Sequence, residues 1–202
     1  MNRLLAALVI SFSASTSNLA SGTEALYQTC AICHGSSAEG NEALAAPQLA
    51  GQNYAYLKEQ LINFRDGYRG NDRADVRGKV MMARAQGLTN ESIEALSTYI
   101  YNLTPRDYAT KTSGDGQKGR VFYKENCGDC HGSQAQGIAT LFAPNLLVIQ
   151  DWYIRTQTKA YLNGWRGHSQ STTRAKHMRS MADLVINDDE LEDVIAWLGT
   201  HN

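Results

Sequence analysis

Apolar residues at Ile93, Leu96, Ile100 and Leu103, with Tyr99 beside them, recur at the spacing of a single helix face. They follow Thr89-Asn90-Glu91, whose short polar side chains suit a capped start. The pattern returns at Leu191, Val194, Ile195 and Leu198 after Asn187-Asp188-Asp189, so two such helices are predicted, one closing each half of the chain. Tyr56, Leu57, Leu61 and Phe64 line one stripe of a middle helix over 53–66, with a counterpart over 150–163. Residues 22–33 and 119–130 read as a further helix in each half, and neither half holds a convincing run of alternating strand positions. Between the halves, 105–116 is rich in Gly, Ser, Asp and Pro and reads as a linker.

The N-terminus breaks this pattern. Met1-Asn2-Arg3 gives a positive start, nine apolar or small residues follow over 4–12, and a small polar stretch ends at Leu19-Ala20-Ser21. That is the layout of a secretory signal peptide over 1–20, cleaved near Ala20. The apolar run is far short of the ~20 residues that span a bilayer, and no later segment is longer. Export is the expectation, with the bacterial periplasm as compartment, no transmembrane segment in the mature chain, and peripheral membrane association left open. A hydrophobic content of 43% with 19% charged residues is globular composition, and a net charge of −1 lacks the basic footprint of a nucleic-acid binder.

Four cysteines in an exported chain would suggest disulfides, but their spacing points elsewhere. They stand in two frames, Cys30-Ala31-Ile32-Cys33-His34 and Cys127-Gly128-Asp129-Cys130-His131. C-x-x-C-H is the attachment signature of c-type haem. Two thiols three residues apart on a helical turn face one side and reach the two vinyl groups of one porphyrin. The following histidine then comes under the ring, where a neutral imidazole nitrogen binds iron. A thioredoxin-like pair needs no trailing histidine and lies in a βαβ context. Structural zinc sites use ligand pairs separated by a loop, unlike adjacent Cys33-His34. Two covalently bound haem c groups are therefore expected.

A shift of 97 residues aligns much of one half with the other. Gly22 falls on Gly119, Gly35-Ser36 on Gly132-Ser133, Pro47 on Pro144, Tyr56 on Tyr153, Gln60 on Gln157 and Tyr68-Arg69-Gly70 on Trp165-Arg166-Gly167. Each iron needs a second axial ligand, and only Met81 and Met178 are methionine in both copies. Met82 falls on Arg179 and Met181 on Arg84, which makes both gap-fillers. His168 and His177 fall on Asn71 and Val80 and read as ordinary exposed histidines. Beyond the methionines the register moves by one, through an extra residue in the second copy. Arg69 and Arg166, at matching positions, suggest a pair beside the haem propionates. Each half is about 85 to 95 residues, a size whose apolar core is thin unless a buried porphyrin fills it.

The C-x-x-C-H-G motif, a proline thirteen residues after the histidine, a methionine 47 residues after it and a closing apolar helix resemble class I cytochrome c. Two such units in one exported chain resemble the diheme cytochromes c4. The resemblance implies an all-α fold of two tandem class I cytochrome c domains, at 21–104 and 117–202, each a small helical bundle around one covalently attached haem. It also implies hydrogen bonds from the iron-bound histidines to the carbonyls of Pro47 and Pro144, which fix ring orientation. The extra residue after Met178 departs from the pattern and leaves His177 and Met181 as neighbouring donors. The expected sites are Cys30, Cys33, Cys127 and Cys130 for covalent attachment and His34, Met81, His131 and Met178 on iron. With no open coordination position the expectation is an electron carrier, not an enzyme, moving single electrons from a respiratory donor complex to a terminal oxidase or reductase. The alternatives are a diheme peroxidase or sulfur-compound dehydrogenase with one labile ligand, and an electron-transfer subunit of a larger complex.

Overall fold

The computed structural model describes residues 16–201, so the leader expected over 1–20 falls for the most part outside the described residues. The first half folds as α1 (Thr16–His34), α2 (Tyr54–Arg65), α3 (Val76–Ala85) and α4 (Asn90–Tyr101). The second follows as α5 (Gly116–Asn126), α6 (Gly128–His131), α7 (Asp151–Leu162), α8 (Thr173–Val185) and α9 (Asp188–Leu198). Among the described residues the β structure amounts to two isolated bridges, Asn41 to Ala46 and Ile138 to Ala143, one in each copy at the 97-residue offset.

The closing helices begin where the polar triplets stand. The Thr89 hydroxyl accepts from the Ser92 amide at 3.1 Å, and Asn187 forms a reciprocal capping box with Glu190. Ile93, Leu96 and Ile100 of α4, and Leu191, Val194, Ile195 and Leu198 of α9, are buried as their spacing predicts. The middle helices α2 and α7 lie within one residue of the predicted bounds. The sequence pattern misses α3 and α8. Val-Arg-Gly-Lys-Val-Met-Met-Ala-Arg-Ala mixes cations and a glycine into its apolar positions and presents no clean stripe. Its start is nevertheless signalled by Asp75, whose carboxylate accepts from the Gly78 amide at 2.8 Å, as Thr172 accepts from Ala175 at the head of α8.

The two halves meet along a seam of carboxamides. Gln48 takes the Val148 carbonyl at 3.1 Å through its amide nitrogen, and Gln52 takes the Asn145 carbonyl at 3.0 Å. Gln150 reaches back to the Glu39 carbonyl at 3.2 Å, and Asn53 donates to the Ala143 carbonyl at 2.7 Å. One ion pair crosses as well, Arg174 to Glu59 at 2.9 Å. Burial, partly offset by Arg174, holds the Glu59 carboxyl above its ordinary range. The linker is tied down along its length: the Arg106 amide donates to Gln48, the Tyr108 hydroxyl to the Leu147 and Ile149 carbonyls, and Thr112 to the Glu192 carbonyl. Arg155, bonded to both Asp151 and Glu192, also donates to the Lys111 carbonyl.

Candidate haem sites

Helix α1 runs unbroken into the first cysteine frame, so Cys30 and Cys33 occupy its last turns and His34 its final residue. Gly35 then turns the chain, the Gly40 amide returns to the His34 carbonyl at 2.8 Å, and the loop brings Pro47 beneath the imidazole. His34 is buried, and its Nδ1 stands 2.8 Å from the Pro47 carbonyl oxygen. A carbonyl can only accept, so Nδ1 carries the proton and Nε2 keeps its lone pair, the tautomer an iron ligand requires. The second copy repeats this with His131 Nδ1 at 3.3 Å from the Pro144 carbonyl. Burial holds both imidazoles below their ordinary pKa, hence neutral. It pushes the Cys30 thiol up and that of Cys127 to about 11, so neither is a reactive thiolate.

One pair of residues escaped the sequence reading. Tyr27 and Tyr123 are fully buried, and each donates its hydroxyl at 2.8 Å to the carbonyl of the glycine after the haem-frame histidine, Gly35 or Gly132. Their rings pack against Tyr99 and Trp197, at centroid distances of 5.2 and 4.4 Å. The uniform shift of 97 sets Tyr27 against Lys124, because Tyr123 stands one residue further from its cysteine frame. The extra residue breaks the helix at Cys127, with φ −121°, between α5 and α6. The structure also separates Gly22 from Gly119: a Cβ on Gly119 would stand 1.8 Å from the Asp193 carbonyl oxygen of α9, whereas one on Gly22 meets nothing within 4 Å. Removing the hydroxyl with Tyr123→Phe takes away one of the two hydrogen bonds the buried Gly132 carbonyl accepts, the other coming from the Ala135 amide at 3.0 Å, and is expected to cost about 1 kcal/mol in denaturant unfolding. Tyr27→Phe, under the less buried Gly35, costs less.

Met81 and Met178 sit half-buried on α3 and α8. Their equivalence extends to the backbone. Gly70 and Gly167 both have positive φ, and a Cβ on either would collide with a helix carbonyl, Gly78 on α3 or Ala175 on α8, and press on Met82 or Arg179. Met82 and Arg179 thus lean on matching turns. Met81 and Met178, one residue earlier, stand about 100° around the helix from that contact. His177 is exposed as expected; His168 is not. It is half-buried, and its Nε2 is enclosed without a partner, because the turn after Gly167 folds into the seam, where Ser171 donates to the Tyr68 carbonyl at 3.1 Å.

Arg69 and Arg166 are buried, 7% and 5% exposed, at the junction of the halves. Arg69 donates to Gln60 Oε1 at 2.7 Å in its own half, and to the Tyr153 hydroxyl at 2.7 Å and Gln157 Oε1 at 2.8 Å in the other. Arg166 donates to the same two oxygens, Gln157 at 2.7 Å and Gln60 at 3.2 Å. Each guanidinium also covers a ring, Phe64 at 4.3 Å and Tyr161 at 4.4 Å. Two hydrogen bonds through one oxygen keep the nitrogens within about 6 Å, where like charges repel by about 3 kcal/mol at an effective dielectric of 20. The Nε of each arginine is buried and unpaired.

These residues fit haem. Each half offers two cysteines on one turn, a histidine with its free nitrogen fixed by a carbonyl, and a buried guanidinium lacking an anion. Two matched centres of this kind on an all-helical frame define a diheme electron-transfer protein. The chain belongs to the cytochrome c family, whose model matches residues 20–104 and again 116–202. It is 32% identical to the thiosulfate dehydrogenase electron acceptor of Thiomonas intermedia, over 84% of this chain and 77% of that protein. The structure of cytochrome c4 from Acidithiobacillus ferrooxidans superposes with a TM-score of 0.69 at 28% identity, covering 86% of this chain and 99% of that one. Thiosulfate dehydrogenase from Marichromatium purpuratum contains a region that superposes with a TM-score of 0.70 at 27% identity, covering 90% of this chain and 40% of that one. The chain is thus a diheme class I cytochrome of the c4 type, and relatives named as cytochrome c4 or as electron acceptor are electron-transfer proteins, not enzymes. Among the described residues no helix is long and apolar enough to cross a membrane.

Proposed function

We propose that the protein is a periplasmic electron shuttle that accepts single electrons from an enzyme oxidising a reduced sulfur compound and delivers them to a terminal oxidase or reductase. Cys30 and Cys33 would anchor one haem and Cys127 and Cys130 the other. His34 with Met81, and His131 with Met178, would bind the two irons. When bound, the haem iron supplies one-electron exchange between Fe(III) and Fe(II). The chain's own residues hold it in place and exclude other ligands. The soft methionine sulfur favours the ferrous state and raises the potential, while Pro47 and Pro144 fix the imidazoles. The observation that carries the reading is the repeated histidine-to-proline-carbonyl contact, thirteen residues apart in both copies. The sulfur-compound donor follows from the Thiomonas relative, which is an acceptor for thiosulfate dehydrogenase. A permanent subunit role is the second reading, favoured by the Marichromatium enzyme, in which a region of this fold is part of a longer chain.

Carbon monoxide tests carrier against enzyme. The fully reduced protein, with two haems per chain by alkaline pyridine assay, is expected to bind none at neutral pH. Rapid binding at either haem means a vacant or displaceable ligand and sinks the carrier reading. Co-purification of a stoichiometric partner from periplasm favours the subunit reading.

A further inference from the structure

We infer that Arg69 and Arg166 form a single cationic seat shared by both halves, which receives a propionate from each haem, so that each arginine sets the potential of both haems and not only that of its own half. The inference rests on the diheme reading and goes beyond it. Arginine stays protonated in proteins, so both charges are real. A buried cation normally has an anionic partner, because desolvation is otherwise too costly. Here every hydrogen-bond acceptor is neutral: two glutamine oxygens, the Tyr153 hydroxyl beside Arg69 and the Tyr56 hydroxyl beside Arg166. Among the described residues no carboxylate is bonded to either guanidinium, and Glu59, the acid that senses Arg166, is taken by Arg174.

The unused donors lie together in the chain. Of the four buried side-chain polar atoms without a partner among the described residues, three are nitrogens on the matching turns: Arg69 Nε, Arg166 Nε and His168 Nε2. An arginine fork suits a carboxylate, and each haem brings two of them. The crossing of the seam makes the seat common property. Arg69 of the first half is held by Tyr153 and Gln157 of the second, and Arg166 of the second by Gln60 of the first. Gln60 and Gln157 each lend one oxygen to both cations. A charge removed from either arginine therefore changes the field at both porphyrins, in a medium whose low dielectric transmits it.

The test is a potentiometric titration of the purified diheme protein and of its Arg69→Gln and Arg166→Gln variants, with the haem-methyl NMR signals of the oxidised protein separating the two haems. Loss of a positive charge favours Fe(III). Each single variant is thus expected to lower both potentials, the nearer haem by about tenfold in its reduction equilibrium, or 59 mV for one electron. A shift confined to one haem makes each arginine a local contact, and no shift makes the pair purely structural; either result overturns the inference. Where a glutamine variant folds poorly, Arg69→Lys keeps the charge but loses the fork, and is expected to move both potentials in the same direction by a smaller step; movement of one alone again overturns the inference. Two haems per chain with unmoved potentials would defeat the shared seat and leave the diheme reading intact, whereas fewer than two haems would defeat the reading itself.

Discussion

Gly119→Ala is expected to unfold the second half of the protein under conditions where Gly22→Ala leaves the first half intact. Helix α5 crosses α9 at Gly119, where the Asp193 carbonyl oxygen lies 1.8 Å and the Val194 amide nitrogen 2.7 Å from the place a Cβ would take. Both obstacles are helix backbone and cannot swing aside, so a methyl group must push the helices apart. Val194 and Trp197 beside the crossing belong to the second core with Tyr123, and they lose contact when the helices separate. Overpacking of this kind costs on the order of 3 kcal/mol. At Gly22 the same methyl meets open space, and alanine's better helix propensity stabilises by up to about 0.8 kcal/mol. Denaturant unfolding followed by far-UV circular dichroism and haem absorbance checks the contrast. Equal destabilisation by the two substitutions would refute the asymmetric crossing.

The second large effect belongs to the distal ligands. Met81→Ala and Met178→Ala should each remove half of the weak far-red absorption that methionine sulfur gives on ferric haem, and the double variant all of it. The altered haem should fall in potential by about 100 mV or more, since axial ligands move haem potentials over about 0.8 V, and its reduced form should bind carbon monoxide. Met82→Ala is the control: Met82 packs on the Gly70 turn as Arg179 packs on Gly167. An intact band in Met81→Ala together with a lost band in Met82→Ala would move the ligand one residue along. In the second half, an intact band in Met178→Ala would point to Met181, and a new band pattern typical of bis-histidine haem to His177.

The sequence carried the parts of this molecule that depend on periodic burial or on fixed covalent spacing. Helices α2, α4, α7 and α9 were legible because one apolar stripe, or a cap followed by one, is all that a small core needs. The haem frames were legible because two thiols and an imidazole tolerate little variation in distance. Helices α3 and α8 were not, because a helix that covers the edge of a site is only half-buried and spreads Arg77, Lys79 and Arg84 among its apolar positions. The buried tyrosines were hidden by one extra residue ahead of Cys127, which breaks a rigid self-alignment while the hydroxyl still finds the same carbonyl. Arg69 and Arg166 were visible as a pair. That each reaches into the other half was not, since no local pattern brings residue 69 to residue 157.

The strapped linker has a consequence for assembly. Exchange of halves between molecules is a characteristic failure mode of repeat proteins. Here the connector is bonded to both partners, through Gln48 on one side and through Leu147, Ile149 and Glu192 on the other. Pro105 packs directly against Gly51, a further contact that lifting the connector would break. An exchanged dimer would have to peel this segment away before any new contact formed, which raises the barrier to trading halves between chains.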